Sequence, residues 1–229
     1  MLRGIVALLV VSGPDAGRAG FATATVRPDG PVGEAAGAIR LADMDTPLRL
    51  EVIVASVRPG RFAPVVADWF LRTARADDRF DVGVIDLLYT PLPVDLSETP
   101  ETETYRERLS AADAFVVVTS EYNHGYPASL KTALDTAKHE WRAKPIGFVG
   151  YGGLSGGLRA VEQLRQVVAE VHMVSIRESV SFHQAKRAFD ADGETRDGAA
   201  IDAAQRLLRQ LAWWAGHLRE ARSTDPYPG

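Results

Sequence analysis

The stretch from residue 50 to residue 62 constrains the fold more than any other part of this chain. Apart from Glu51, residues 50–55 form an apolar run rich in β-branched side chains, which is typical of a strand buried on both faces. A polar, glycine-containing turn follows at residues 56–61, and residues 62–76 then have helical spacing. A strand, a loop and a helix in this order present the unpaired amides of a helix start, which attract anions.

The turn places side chains that bind phosphate beside those amides. Ser56 supplies a hydroxyl, Arg58 and Arg61 supply two guanidinium groups, and Gly60 lies between the arginines. Because an arginine can bind two oxygens at once, this set predicts a site for a dianionic phosphate monoester. The alternative is an ordinary turn between a strand and a helix whose arginines are solvated.

Composition excludes several classes of function. The 229 residues suit one domain with an appendage, and the net charge of −4 gives no electrostatic reason to expect nucleic-acid binding. Cysteine is absent, which removes disulfides, thiolate nucleophiles and cysteine metal sites, and which fits a cytoplasmic location. The five histidines show no metal-ligand spacing, so we expect no metal held by the protein.

The first 46 residues differ from the rest of the chain. Residues 4–11 are apolar but far too few to span a bilayer, and residues 12–42 are rich in glycine, alanine and proline. We expect residues 1–46 to be an N-terminal extension that is poorly ordered or dispensable, and residues 47–229 to form the functional domain. Met44 is an alternative start for a shorter natural product.

From residue 48 onward, strand patterns alternate with helical patterns. The predicted strands are residues 48–55, 80–88, 114–119, 145–151 and 171–176. The predicted helices are residues 62–76, 101–111, 128–139, 155–170 and 199–222, and residues 178–197 read as irregular. Strands separated by helices predict a parallel sheet covered on both faces. Five such strands favour a doubly wound, flavodoxin-like α/β fold with strand order 2-1-3-4-5, which binds its ligand beyond the carboxyl ends of the strands.

Three loops are then expected at the same end of the sheet. The first is the turn at residues 56–61, and the second, residues 120–128, offers consecutive amides, Asn123, two tyrosines and a glycine. The third, residues 151–157, contains four glycines, which are needed where a turn is sharp or where a flat group lies against bare backbone. Three such loops at one end of one sheet predict a ligand site.

The chemistry of these loops favours a flat, stacked ligand with one terminal phosphate. The chain has no G-x-S-x-G elbow, no P-loop motif, and no dinucleotide fingerprint, since its glycines follow the fourth strand with the wrong spacing. Flavin mononucleotide (FMN) is the obvious member of the remaining ligand class, and such a cofactor carries the redox chemistry while the protein positions it.

The same residues carry a family resemblance. The motifs are S-V-R-P-G-R at residues 56–61, E-Y-N-H-G-Y-P-A at residues 121–128 and Y-G-G-L-S-G-G-L-R-A at residues 151–160. In order and spacing, this set resembles the NAD(P)H-dependent FMN reductase family, which includes flavodoxin-like quinone and azo reductases. The resemblance covers residues 48–175. Ala55 stands where the family usually has glycine, and Thr132 stands where it usually has asparagine.

The resemblance implies a set of cofactor-binding residues. Those for the FMN phosphate and ribityl chain are Ser56, Arg58, Gly60, Arg61 and Phe62; those bordering the isoalloxazine ring are Glu121, Tyr122, Asn123 and His124; and those on its pyrimidine side are Gly152, Gly153 and Ser155. Other interpretations remain open for some of them. Glu121 could be a carboxylate at a helix start, and Tyr122 could be a packing residue. We interpret His183 as structural, with a reach into a neighbour's site as the alternative.

The predicted function is therefore that of an FMN-dependent oxidoreductase. It passes hydride from NADPH or NADH, through bound FMN, to a small-molecule acceptor such as a flavin or a quinone, and no protein side chain is assigned a catalytic role. The resemblance also implies a homodimer or homotetramer. From the net charge and the short apolar run, we expect neither nucleic acid nor a membrane as a partner. One alternative is a non-catalytic FMN electron carrier or redox-sensing protein. Another is a phosphate-binding α/β enzyme without flavin.

Overall fold

The computed structural model describes residues 46–229, in which strands alternate with helices. The strands are β1 (Leu48–Val54), β2 (Phe80–Asp86), β3 (Ala114–Ser120), β4 (Pro145–Tyr151) and β5 (Val174–Phe182). The helices are α1 (Ala63–Arg75), α2 (Pro100–Ala111), α3 (Ala128–Thr136), α4 (Leu158–Glu170), α5 (Ala185–Ala188) and α6 (Gly198–Thr224). Apart from Thr46, the predicted N-terminal extension lies outside the described residues.

The five strands form one parallel sheet in the order β2-β1-β3-β4-β5, which confirms the predicted flavodoxin-like, doubly wound α/β fold. The order follows from the apolar content of the strands. Every residue of β3 is buried, as its apolar run from residue 114 to residue 118 predicts for a central strand. Only two of the seven residues of β2 are buried, which agrees with its place at the edge.

Helices cover both faces of the sheet, so its core consists of two apolar layers. On one face, α1 and α6 pack against the sheet through residues such as Phe70 and Leu207. On the other face, α2, α3 and α4 do so through residues such as Leu109, Leu130 and Leu164. Because the helices start where the strands end, the carboxyl end of the sheet carries the loops that lead into them. Among residues 46–229, no helix is both long and apolar enough to cross a bilayer.

The prediction for β5 was wrong in its bounds. The strand starts at Val174 and continues to Phe182, into a segment that we expected to be irregular. Its central residues are polar or charged because β5 is an edge strand with a register shift against β4. Arg165 of α4 donates to the carbonyls of Ile176 and Arg177 there, at 2.6 and 3.0 Å. The shift hides the simple alternation by which a strand is recognised.

Candidate functional site

Three loops meet at the carboxyl end of the sheet, as the sequence predicts. We name them the β1 loop (residues 55–62), the β3 loop (residues 121–127) and the glycine loop (residues 152–157). The Ser56 and Tyr122 hydroxyls lie 2.6 Å apart and join the first two. The Glu121 amide donates to the Tyr151 carbonyl at 3.1 Å, which joins the β3 loop to the strand that leads into the glycine loop.

Glu121 connects the β3 loop to the start of α4. Its carboxylate accepts hydrogen bonds from the Ser155 hydroxyl, from the Arg159 amide at 3.1 Å and from the Arg159 guanidinium at 3.1 Å. Burial by itself would raise the pKa of this carboxyl, but the hydrogen bonds from Ser155 and Arg159 lower the pKa of Glu121 below its usual value. Glu121 therefore lies at the start of α4 as a carboxylate that joins the β3 loop to the glycine loop.

The β1 loop leaves the start of α1 open. Phe62 occupies the N-cap position of α1 and provides no side-chain hydrogen bond to the first helical amides. Arg58 is exposed, and its guanidinium has no hydrogen-bond partner among residues 46–229. Gly60 has a φ of +67°, and no atom lies within 4 Å of the position that a Cβ would take. An anion can therefore approach this loop from solvent and reach amides and a guanidinium together.

Arg61, unlike Arg58, is bound inside the protein. Its guanidinium donates to both carboxylate oxygens of Asp86, at 2.5 and 2.6 Å, and to the Ser56 carbonyl at 2.6 Å. The hydrogen bond to Asp86 raises the pKa of Arg61. Asp86 ends β2, so this pair ties the β1 loop to the neighbouring strand. Asp86 was not predicted as a site residue, although its place at the carboxyl end of a strand was the available signal.

A group of buried hydroxyls lies behind the β1 loop. Within the described chain, the Ser120 and Tyr151 hydroxyls are buried without a hydrogen-bond partner. Burial raises the pKa of Tyr151 to about 12. The phenol thus stays protonated at neutral pH and can donate a hydrogen bond. Unsatisfied buried hydroxyls at the ends of adjacent strands are expected at a site completed by a polar ligand.

The β3 loop turns tightly through two residues in the left-handed region. Asn123 and His124 have φ values of +48° and +71°. The amides and carbonyls of Tyr122 and Gly125 pair across the turn at 2.8 and 3.0 Å, and Gln163 of α4 donates to the His124 carbonyl at 3.1 Å. Both turn residues are exposed. Backbone strain of this kind persists where the surrounding structure holds it, as at binding sites.

The glycine loop depends on glycine at its last position. Gly157 has a φ of +90°, and a Cβ there would lie 2.6 Å from the Tyr151 nitrogen. Gly153, by contrast, has open space around it. The loop thus approaches strand β4 with its last glycine and faces solvent with its earlier part, where a flat ligand could lie against bare backbone.

The predicted site residues are therefore brought to one rim of the sheet, but they differ in availability. Those with groups open to solvent are Arg58, Gly60, Asn123, His124 and Gly153. Those whose side chains bind or pack within the protein are Ser56, Arg61, Phe62, Glu121, Tyr122 and Ser155. The Gly152 amide donates to the Phe182 carbonyl. Asp86 and Gln163 were not predicted as site residues, because their roles depend on contacts distant in sequence.

Comparison with known proteins identifies similar sequences. Residues 48–187 match the family described as NADPH-dependent FMN reductase. A protein of Schizosaccharomyces pombe described as an NAD(P)H-dependent FMN reductase is 36% identical over 138 residues, covering 55% of this chain and 68% of the relative. A protein of Arabidopsis thaliana described as an NADPH:quinone oxidoreductase is 31% identical over 137 residues, covering 57% of this chain and 70% of the relative.

A solved structure shares the fold. The flavoenzyme NAD(P)H:(acceptor) oxidoreductase FerB from Paracoccus denitrificans superimposes with a TM-score of 0.61 at 24% sequence identity. The match covers 74% of this chain and 98% of FerB. This agreement supports the strand order and the helix placement described above.

Proposed function

This chain belongs to the NADPH-dependent FMN reductase family, and from that premise we propose how its residues serve an FMN-dependent oxidoreductase that takes electrons from NAD(P)H. The observation that carries the proposal is the convergence of three loops on a rim where amides and one guanidinium remain open.

We assign the phosphate of FMN to the start of α1. The uncapped amides of this helix and the exposed guanidinium of Arg58 match a dianion, and the turn at Gly60 lets backbone approach it. Arg61 holds the β1 loop in place through Asp86. The ribityl chain would then lie beside Ser56 and Phe62.

The flavin ring is assigned to the space between the β3 loop and the glycine loop. Tyr122, Asn123 and His124 border it on one side, with Gly152, Gly153 and Ser155 on the other. When bound, FMN supplies the hydride chemistry. The amides of the glycine loop would stabilise negative charge on the pyrimidine side, because preorganised N–H groups need no rearrangement as charge develops. None of these residues is asked to transfer a proton.

The acceptor is a small molecule, and we propose a quinone or a flavin. A relative described as an NADPH:quinone oxidoreductase supports the quinone class. The exposed Leu154, at 80% exposure beside the ring position, offers an apolar surface to such a flat molecule. Competition between menadione and free FMN for electrons from NADPH would rank the two classes.

We also propose that the protein is a homodimer or homotetramer located in the cytoplasm. Trp213 on α6 is 48% exposed and stacks against His217, and an exposed tryptophan of this kind is common where subunits meet. Light scattering of the purified protein measures its mass directly, and cell fractionation measures its location. A monomer at micromolar concentration would contradict the proposed assembly.

Residues 1–46 are proposed to be dispensable for cofactor binding. The family match begins at residue 48, which supports this boundary. A chain that starts at residue 47 should bind FMN with an affinity within about twofold of the full chain. Loss of FMN from the shortened chain would assign these residues a part in the site.

One experiment tests the function as a whole. The purified protein, reconstituted with FMN and freed of excess cofactor, should show a flavin absorption spectrum that NADPH or NADH bleaches rapidly without oxygen. A protein that stays yellow would be an electron carrier instead. A colourless protein that cannot be reconstituted would refute flavin binding and favour a phosphate-binding enzyme of another class.

A further inference from the structure

The glycine loop is hydrogen-bonded along its length to the end of β5. We name this partner segment, residues 181–185, the β5 turn. Five hydrogen bonds join the two segments: Gly152 N to Phe182 O at 3.2 Å, Ala185 N to Gly152 O at 3.0 Å, Gln184 N to Gly153 O at 2.7 Å, His183 Nδ1 to Leu154 O at 2.7 Å, and Ser181 Oγ to Gly156 O at 2.8 Å. In four of them, a carbonyl of the glycine loop is the acceptor.

These bonds fix the direction in which the loop amides point. The β5 turn holds the carbonyls of Gly152, Gly153 and Leu154, which belong to three consecutive peptide units. In a trans peptide, the N–H points opposite to the C=O, so the amides of the next residues in the chain turn away from the β5 turn. Those amides belong to Gly153, Leu154 and Ser155, and none has a hydrogen-bond acceptor among residues 46–229.

Three successive N–H groups on one side of a loop form an anion-binding concavity. Beyond the bonds at Ser155, whose hydroxyl donates to Glu121 and whose carbonyl accepts from the Leu158 amide, the loop has little else to hold it in this orientation. Gly152 and Gly153 have no side chains, and the Leu154 side chain is 80% exposed and so adds little packing. The hydrogen bonds from the β5 turn therefore determine where the amides point.

The carbonyls of residues 152, 153 and 154 each accept one hydrogen bond from the β5 turn, and only the bond from His183 comes from a side chain. Since a carbonyl can only accept, Nδ1 of His183 carries the hydrogen and donates it to Leu154. The bond fixes the peptide between Leu154 and Ser155 and thereby aims the Ser155 amide. It joins residues 29 positions apart in sequence, within the same chain. This contact agrees with the interpretation of His183 as a structural residue.

We propose that His183 is a positioning residue for the flavin, which aims the Ser155 amide at the pyrimidine side of the ring. The inference rests on the proposed function. Its consequence is electrostatic: a correctly aimed amide favours the ring more when the ring carries the negative charge of the reduced state. His183 thus raises the affinity for reduced FMN more than the affinity for oxidised FMN, and so raises the midpoint potential of the bound flavin.

The test compares three variants of the FMN-loaded protein. His183→Ala removes the donor, and His183→Asn restores one, because the Asn amide nitrogen is as many bonds from Cα as Nδ1 of histidine is. His217→Ala is the matched control: Nδ1 of His217 also contacts a carbonyl at 2.7 Å, that of Trp213, but on α6 outside the three loops. The measurements are the two-electron midpoint potential and the dissociation constant of oxidised FMN.

We expect His183→Ala to lose about tenfold in affinity for reduced relative to oxidised FMN, which lowers the two-electron midpoint by about 30 mV. His183→Asn should recover most of that shift, and His217→Ala should show none. A His183→Ala protein with an unchanged midpoint would overturn the inference, and so would an equal shift in His217→Ala. If His183→Ala fails to retain FMN, His183→Gln takes its place in the test, because the Gln amide lies one bond further from Cα and so does not reproduce the position of Nδ1. Equal midpoint potentials for the His183→Gln and His183→Asn proteins would then overturn the inference.

Failure of the proposed function is a separate result. A wild-type protein that neither binds FMN nor is reduced by NADPH would refute that function before any variant is made. An unchanged midpoint in a functional His183→Ala protein removes only the role assigned to His183.

Discussion

Helices at the centre of the sheet start differently from helices at its edges. The inner strands β1, β3 and β4 lead into α1, α3 and α4, and none of these three helices has a hydrogen bond from its own N-cap side chain. The edge strands β2 and β5 are followed by α2 and, after the single turn of α5, by α6. Thr99 caps α2 in a capping box, and Asp197 caps α6 through the Ala200 amide at 3.1 Å.

Capped helix starts contribute to stability, whereas uncapped helix starts are available for binding a ligand. A capped helix has satisfied its first amides from within the protein, and it gains stability by doing so. An uncapped start keeps those amides for a partner that is not part of the chain, at a cost to the stability of the free protein. At α4, the chain fills one position itself, since Glu121 accepts from the Arg159 amide. The open starts at the centre of the rim are therefore the ones that suit a ligand.

The other end of α2 is completed internally as well. Lys144 is only 6% exposed and donates to the carbonyls of Leu109 and Ser110, at 2.7 and 2.9 Å, where α2 ends. A cation at a helix C-terminus also interacts favourably with the helix dipole. The edge helix α2 thus has partners at both ends, whereas α1 is left open at its start.

The largest effect is expected at Gly157, the N-cap residue of α4. Gly157→Ala should destabilise the protein by about 4 kcal/mol, because a left-handed residue gains a Cβ in a space that backbone already fills. It should also abolish tight FMN binding by displacing the glycine loop. Chemical denaturation and FMN titration measure both effects.

Gly198→Ala is the control, since Gly198 starts α6 with no atom within 4 Å of the new Cβ. This control should keep both stability and FMN affinity. A Gly157→Ala protein of wild-type stability would show that the tight contact at the α4 start relaxes without cost.

The completed C-terminus of α2 predicts a pH effect on stability. Burial first, and then the charge of Arg222, lowers the pKa of Lys144 to about 8. The unfolded chain keeps this proton up to about pH 10.4. Above pH 8 the folded state binds fewer protons than the unfolded state, so stability rises with pH in this window, and the gain is lost as the pH falls through 8. Between pH 7 and pH 10, the wild type should gain about 2.5 kcal/mol relative to Lys144→Met.

Urea denaturation of both proteins at these two pH values measures this gain. Other groups titrate in the same range, but they contribute equally to both proteins and cancel in the difference. Equal pH dependence in the two proteins would mean that the carbonyls at the end of α2 hold the Lys144 proton against the effect of burial.

The open start of α1 predicts an effect on binding without an effect on stability. Arg58→Ala should weaken FMN binding about tenfold, or about 1.4 kcal/mol, because a charge-assisted bond to the phosphate is lost. Its unfolding free energy without FMN should stay at the wild-type value, since Arg58 has no partner within the described chain. Arg75→Ala, at the other end of the same helix, is the control and should bind FMN normally. Equal affinity in Arg58→Ala would remove this residue from the phosphate site.

For the capped helices α2 and α6 we expect the reverse: loss of a cap lowers stability and leaves FMN affinity unchanged. This is the smallest of the expected effects. Asp197→Ala should cost about 1 kcal/mol of stability through loss of the α6 cap and should leave FMN affinity within about twofold. Thermal unfolding of the FMN-free protein and FMN titration measure the two quantities. A clear loss of FMN affinity would extend the site to the edge of the sheet and would end the distinction between centre and edge.

Much of this architecture could be predicted from the sequence. The apolar run of β3, the polar pattern of β2 and the helices between them are local signals, and they were sufficient for the strand order. The glycines near residue 157 and the polar turn after β1 marked the rim for the same reason, since turn chemistry is local. Prediction of β5 failed where a register shift and polar edge residues removed the local alternation.

Partner choice among the charged residues could not be predicted. Arg58 and Arg61 are three residues apart and chemically identical, yet one is open to solvent and the other binds Asp86, which is 25 residues away in sequence. Glu121 likewise finds Ser155 and Arg159 across two loops. Which groups pair depends on the distances that packing imposes, and these are not encoded in any single stretch.

The sheet and the end of it at which the three loops meet thus follow from the sequence, because both depend on apolar periodicity and on turn residues that act within a few positions. Tertiary structure alone decided which amides, hydroxyls and guanidinium groups stay open. Each polar group takes the nearest suitable partner that folding supplies, and only those left without one remain for a cofactor.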